Sequence, residues 1–230
     1  MVRSGPGPAA YTPLKSLRFW SCNVKDAGAA AVAEILLAGP PLGVGLAHLE
    51  MMDNKLGSPA CRALGRALQL GGNATLGTLR LDLNPGIGDV GAAELCRGIR
   101  SNGVLATLTL SFCGLGPASA VALVEAASGA GSVLATLDLR GNRLGSTGLR
   151  ILCEGALRAP KLKSINVSDN GIGAESPEDN AAALEALGQA LMAPPETSAL
   201  CDVDLTMNAV DAADAGVLLK YAGPDNKKIE

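Results

Sequence analysis

One short phrase occurs seven times along this chain, in phase. Its clearest copy runs from Leu134 to Leu144, Leu-Ala-Thr-Leu-Asp-Leu-Arg-Gly-Asn-Arg-Leu. The other copies set apolar residues and Asn or Cys at the same offsets. Leu14, Leu17, Phe19, Cys22 and Val24 make the first, and Leu46, Leu49, Met51, Asn54 and Leu56 the second. Leu76, Leu79, Leu81 and Asn84 make the third, closed by Ile87 after one extra residue. Leu105, Leu108, Leu110, Cys113 and Leu115 make the fourth. Leu162, Ile165, Val167, Asn170 and Ile172 make the sixth, and Leu200, Val203, Leu205, Asn208 and Val210 the seventh. The starts at 14, 46, 76, 105, 134, 162 and 200 give intervals of 32, 30, 29, 29, 28 and 38 residues. A period of this size means one supersecondary unit stacked on copies of itself, because a single unit cannot bury its own apolar face.

Inside each copy the leucines alternate with polar residues, as Leu137 and Leu139 do with Asp138 and Arg140, so each opens on a short strand with one apolar face. The Asn that follows has two amide donors and a carbonyl acceptor for the backbone of the turn. A helical period comes next. Ala92, Leu95, Cys96 and Ile99 fall at i, i+3, i+4 and i+7, and so do Leu149, Leu152, Cys153 and Ala156. The same face is carried by Cys61, Leu64, Gly65 and Leu68, and by Ala120, Leu123, Val124 and Ala127. Its small residues allow close approach of helix to strand. Gly88-Asp89, Gly116-Pro117 and Gly145-Ser146 supply the turn chemistry of helix starts.

A strand, turn and full helix repeating every 29 residues or so, with Cys22 and Cys113 replacing Asn, resembles the ribonuclease-inhibitor-like class of leucine-rich repeats. The resemblance spans Leu14 to about Tyr221. It implies an α/β leucine-rich-repeat solenoid of about seven repeats, a horseshoe with parallel strands on its concave face and helices on its convex face. The class includes ribonuclease inhibitors, Ran-type GTPase activators, tropomodulins, innate-immune receptors and ciliary regulators, which share protein binding and no catalytic mechanism. The implied role is a non-catalytic interaction scaffold in a multi-protein assembly. The Ran-type GTPase activator is the alternative, weakened by the absence here of that family's acidic carboxy-terminal stretch.

Composition fits this reading. Apolar residues make up 48% of the 230 and aromatics only 2%, so the core is built from Leu, Ala, Val and Ile in thin layers. The formal net charge of −3 gives no electrostatic case for nucleic acid or an anionic membrane. No apolar run reaches the ~20 residues that span a bilayer, and no small-molecule substrate is implied. Met1 to Pro13 has no apolar signal core. The expected setting is therefore the cytoplasm, cytoskeletal and ciliary sites included. Domain organisation is read as a flexible tail at 1–13, repeats at 14–222 and a short tail at 223–230. The long sixth interval reads as a polar surface loop near 173–180, ahead of a helix from Ala181 to Met192 that Pro194-Pro195 ends.

Candidate chemistry is sparse. His48, the only histidine, reads as a solvated loop residue, which rules out zinc sites that need two. Cys22, Cys61, Cys96, Cys113 and Cys153 read as buried reduced thiols. Asn73-Ala-Thr75 and Asn166-Val-Ser168 read as chance glycosylation matches. No cofactor or metal motif is present. What remains is the row of residues that alternation sends outward from each strand. The columns run Arg18, Glu50, Arg80, Thr109, Asp138, Asn166, Asp204; then Trp20, Met52, Asp82, Ser111, Arg140, Ser168, Thr206; then Ser21, Asp53, Leu83, Phe112, Gly141, Asp169, Met207. Trp20, the lone tryptophan, is the expected partner anchor with Met52 beside it. Arg18, Glu50, Arg80, Asp82, Phe112, Asp138 and Arg140 are the expected surround, with Arg140 reaching Asp138, Ser168 or Asp169.

Overall fold

The computed structural model describes residues 14–38, 45–69 and 72–221; the expected tails at 1–13 and 223–230 lie outside these. Strand and helix alternate from end to end. The strands are β1 (Ser16–Arg18), β2 (His48–Glu50), β3 (Thr78–Arg80), β4 (Thr107–Thr109), β5 (Thr136–Asp138), β6 (Ser164–Asn166) and β7 (Asp202–Asp204). The helices are α1 (Lys25–Ala38), α2 (Ser58–Leu68), α3 (Gly88–Ile99), α4 (Pro117–Ala127), α5 (Gly145–Ala156), α6 (Pro177–Met192) and α7 (Ala212–Leu219). The strands form one parallel sheet in chain order. Each pairs in register with the next, Leu17 to Leu49 to Leu79 to Leu108 to Leu137 to Ile165 to Val203. This is the leucine-rich-repeat horseshoe.

The core lies between the sheet and the helix layer. All four expected helix faces are buried, as are the interior strand leucines. Burying each such leucine contributes about 1.5–3 kcal/mol. The terminal coils have one described neighbour rather than two, and their apolar residues pay for it in cover: Leu17, Phe19, Val203 and Leu205 are only partly buried. The small residues on the helix faces bring helix to helix. A Cβ at Gly98 would lie 1.9 Å from the Gly65 carbonyl oxygen, so α2 and α3 touch through bare backbone.

The Asn position joins coils as well as turns. Asn142 Oδ1 accepts from the N–H of Cys113 and of Leu115, both at 3.0 Å, in the preceding coil. Its Nδ2 donates to the carbonyls of Leu110, Leu139 and Arg140. Asn84 does the same for Asn54 and Leu56, and Asn208 for Asn170 and Ile172. Cys113 keeps the donor half of this role, its Sγ–H pointing at the carbonyls of Leu81 and Ser111. Carboxylates at helix starts stitch the other layer. Asp26 accepts from the N–H of Gly57 and Ala60 at the start of α2. Asp89 accepts from the Gly116 N–H and the Ser119 hydroxyl at the start of α4.

Two expectations change. The long sixth interval is not an eight-residue loop: α6 begins at Pro177, capped by Ser176, whose hydroxyl accepts from the Asp179 N–H at 3.1 Å. Pro at the first helical position and acids in the first turn favour that earlier start, so only Gly173 to Ser176 of the expected segment precede the helix. His48 is exposed but opens β2 rather than a loop.

Asn142→Ala should cost about 3 kcal/mol or more, since it strands several buried backbone groups at ~1–3 kcal/mol each. Arg143→Ala, exposed at the next position, should stay within about 0.5 kcal/mol. Thermal melts of the two variants test this, and equal shifts would refute the assigned role of the Asn.

Candidate functional site

The expected columns stand in register. Arg18 faces Glu50, which faces Arg80, then Thr109, Asp138, Asn166 and Asp204. Arg18 and Glu50 pair with each other, Nε to Oε1 at 3.1 Å. Trp20 stands 69% exposed, opposite Met52, its neighbours held by Phe19 N–H to the Glu50 carbonyl and Ser21 N–H to the Met52 carbonyl.

The middle of the face is built differently from the expectation. Asp82 is buried, accepting from the Thr109 hydroxyl at 2.7 Å and the Ser111 N–H at 2.8 Å, so its carboxylate is committed to the fold rather than to a rim. Arg80 Nε lies 3.6 Å from it, too far for a hydrogen bond. Asp138 is half-buried and accepts from the Ser111 hydroxyl. Among the described residues the Arg140 guanidinium makes no ion pair with Asp138 or Asp169 and no hydrogen bond with Ser168; only the Arg140 backbone N–H reaches Asp138 Oδ1, at 3.2 Å. The guanidinium lies over the Phe112 ring, 5.9 Å from the centroid, and its Nη2 is 3.8 Å from Met207 Sδ. Asp204 titrates below the usual carboxylate range, held down first by the Thr206 hydroxyl, then by the Thr206 N–H, with Arg140 adding to it.

The third column carries a backbone feature common to every coil. Ser21, Asp53, Leu83, Phe112, Gly141, Asp169 and Met207 all have φ between +52° and +67°. Strand alternation alone would turn this residue inward and the next one outward. The left-handed step breaks the alternation and sends the following Asn or Cys into the turn. Gly141 takes this conformation freely and Asp tolerates it, whereas a bulky L side chain there costs roughly 1–2 kcal/mol. Leu83, Phe112 and Met207 bear that strain while 40%, 38% and 68% exposed. The Phe112 ring lies directly on Gly141, where a Cβ would come within 2.1 Å of a ring carbon. Between Leu83 and Phe112 opens a cavity of about 500 Å³, rimmed by Asp53 and Arg143. Phe112 was named from the sequence as a partner-binding candidate; Leu83 and Met207 stood in the same column but were not singled out. The signal for both was their position just ahead of the Asn, in a column that also holds Gly and Asp.

Among the described residues no group of three or more His, Cys, Asp and Glu could hold a metal ion, and no helix is long and apolar enough to cross a membrane. Cys61, Cys96, Cys113 and Cys153 are buried and free, and burial pushes each thiol up to about 12. Cys22 departs from expectation: it is exposed, because no described coil covers the outer side of the first one. Asn73 is a buried structural residue, its Oδ1 accepting from the Thr75 and Leu76 N–H groups. Asn102 repeats that arrangement one coil later.

A family model described as Leucine Rich repeat matches residues 72–96, 132–153 and 158–176. The mouse (Mus musculus) NACHT, LRR and PYD domains-containing protein 12 is 32% identical over 170 residues, covering 64% of this chain and 16% of that protein. Pig (Sus scrofa) ribonuclease inhibitor is 30% identical over 173 residues, covering 63% of this chain and 37% of the inhibitor. The chain thus spans well under half the length of either relative. Among solved structures, the Caenorhabditis elegans tropomodulin C-terminal domain superposes with a TM-score of 0.53 at 12% identity, over 71% of this chain and 90% of that one, a likeness of fold alone.

In the folded protein, a thiol reagent at pH 8 should modify Cys22 and Cys201 quickly and leave the four buried cysteines until denaturant opens the fold. The same burial sets a pH trend. A thiol raised from an ordinary 9.0 to about 12 keeps its proton in the fold while the unfolded chain loses it. The thiols' contribution to stability is therefore fully present below about pH 9 and is lost as pH climbs towards 12. Intact-mass labelling and melts across this range test both, and a native disulfide or rapid labelling of Cys96 or Cys153 would refute the assignment.

Proposed function

We propose that this leucine-rich-repeat protein is a non-catalytic docking subunit of a cytoplasmic multi-protein assembly, with repeats of the ribonuclease-inhibitor-like class. Repeat spacing near 29 residues and the 30% identity with the pig inhibitor support the class. The partner seats on the concave strand face and on the loop edge that continues it.

One observation carries the reading. Leu83, Phe112 and Met207 occupy a left-handed position that suits Gly, Asn or Asp, yet remain exposed in part, Met207 most of all. They forgo backbone relief and burial together, a pairing that serves a surface waiting to be covered. Arg140 over Phe112 adds an exposed cation to that surface, its Nη2 resting beside Met207 Sδ. Trp20 and Met52 extend the surface to the first coil, with Arg18, Glu50, Arg80 and Asp138 as the polar surround; buried Asp82 shapes it from beneath. Seven three-residue strands at roughly 4.8 Å apart make a strip about 29 Å long, which the loop edge broadens.

Two substitutions test the reading against a purified partner, identified by cross-linking to the tagged chain. Leu83→Asn should hold or raise the melting temperature, because Asn tolerates the left-handed backbone, and should weaken binding about tenfold. Trp20→Ala should weaken it by about 2 kcal/mol with little change in melting. A lowered melting temperature with unchanged affinity in either variant would remove that residue from the site.

A further inference from the structure

On the opposite side of the molecule, three adjoining cavities of about 340, 250 and 630 Å³ run across the ends of α2, α3, α4 and α5. Arg62 and Arg66 line the first, Arg97 and Arg100 continue along the second, and Arg158 closes the third. Two carboxylates stand among these five guanidinium groups. Glu94 is already held by Arg62 at 3.3 Å and by Arg97 at 2.9 Å, and is only 12% exposed. Glu125 reaches Arg100 loosely, at 3.6 Å. Arg66 and Arg158 have no ion-pair partner among the described residues. A chain of net charge −3 thus concentrates an excess of three positive charges in one groove.

Four of the five, Arg66, Arg97, Arg100 and Arg158, stand in or just past the last turn of α2, α3 and α5, where a cation complements the helix dipole. Arg62 lies one turn further into α2, and α1, α4 and α6 carry no basic residue in their last turn. Because the helices stack side by side, these ends bring the arginines into one groove. Between them the floor is small and partly apolar: Val124 is buried, Gly129 packs its bare backbone against the Arg100 carbonyl, Gly131 leaves open space, and the covered Ser128 hydroxyl has no hydrogen-bond partner among the described residues.

We infer that this groove docks an extended acidic segment of a partner protein, independently of the concave surface. The guanidinium fork matches a carboxylate through two parallel hydrogen bonds, which explains why the groove is lined by Arg and not Lys. Its length sets the ligand. Packed helices lie about 8–10 Å apart, so α2 to α5 spans roughly 24–30 Å, or about eight to ten residues of extended chain at ~3.3 Å each. Arginines stand over α2, α3 and α5, while Glu125 stands over α4. The complementary segment carries acidic residues at positions 1, 4 and 10, with a small neutral residue near position 7.

A fluorescent ten-residue peptide with Glu at positions 1, 4 and 10 and Ser or Gly elsewhere tests this by anisotropy on the full chain. Expected results are saturable binding at low salt that weakens as salt is raised, and at least about tenfold weaker binding of the peptide with Gln at those positions. A peptide with the three glutamates adjacent should also bind more weakly. Arg66→Gln with Arg158→Gln should reduce affinity about tenfold at an unchanged melting temperature, while Arg18→Gln, on the concave side, should not. Should the double variant fail to fold, Arg158→Gln alone, at an exposed position, serves the same comparison. Absence of binding, equal binding of the Gln peptide, indifference to the arginine variants, or tighter binding of a single-stranded RNA or inorganic polyphosphate would each overturn the proposal. Loss of peptide binding leaves the concave site standing, because Leu83→Asn and Trp20→Ala read that site separately.

Discussion

Each coil of this protein hands one side chain to the coil before it, and the architecture rests on that exchange. The amide of Asn54, Asn84, Asn142 and Asn208 accepts from two N–H groups of the preceding coil and donates to its carbonyls and to its own turn. A turn away from a three-residue strand leaves backbone groups that no ladder can reach, and each would cost about 1–3 kcal/mol if buried unpaired. Leucine burial supplies most of the driving force and already forbids a one-residue slip, which would turn every leucine to the outer face. The amides add directional bonds to the same register, and together they align the outward columns of the concave face.

The left-handed step follows from the same requirement. For the Asn to enter the turn, the residue before it must leave the strand alternation, and all seven described coils solve this with positive φ at one position. The side chain there becomes the edge of the concave face. Solenoid geometry thus creates, once per coil, a position where backbone comfort and surface chemistry are in competition. Gly141, Asp53 and Asp169 resolve it in favour of the backbone. Leu83, Phe112 and Met207 resolve it in favour of the surface, and the Phe112 ring can lie flat because its neighbour Gly141 has no Cβ.

Most of the fold was legible because its determinants are local and repeated. Strand phase, helix faces and the Asn position were each read from spacing, and register followed from stacking like on like. What was not legible depends on distances between coils that are not written in any one of them. Whether Asp82 is a rim charge or a buried acceptor is decided by Thr109 and Ser111, in the next coil. Where the Arg140 side chain goes is decided by Phe112 one coil back and Met207 two coils on. Cys22 and Cys113 occupy the same place in the repeat, and only the coil stacked outside it buries Cys113. The long sixth interval looked like a loop because its residues are polar, but Ser176, Pro177, Glu178 and Asp179 are the residues that start a helix.

The same modularity separates the two surfaces. The concave edge is written in strand and turn residues, the arginine groove in residues at the outer ends of helices, and a packed leucine layer lies between them. In a solenoid each coil packs mainly on its neighbours, the reach of Arg140 to Met207 being an exception, so free energies of distant substitutions add. Changes at Leu83 or Phe112 therefore leave the groove at Arg66 and Arg158 unaltered unless they disturb the leucines between. Occupation of both sites by one partner would require a chain that passes around the edge of the solenoid. Two partners would require nothing of the kind, and the fold holds them apart on opposite faces of one core. A single layer of leucines is enough for that because the Asn amides bond each coil to the one before it and hold the register that the packing sets.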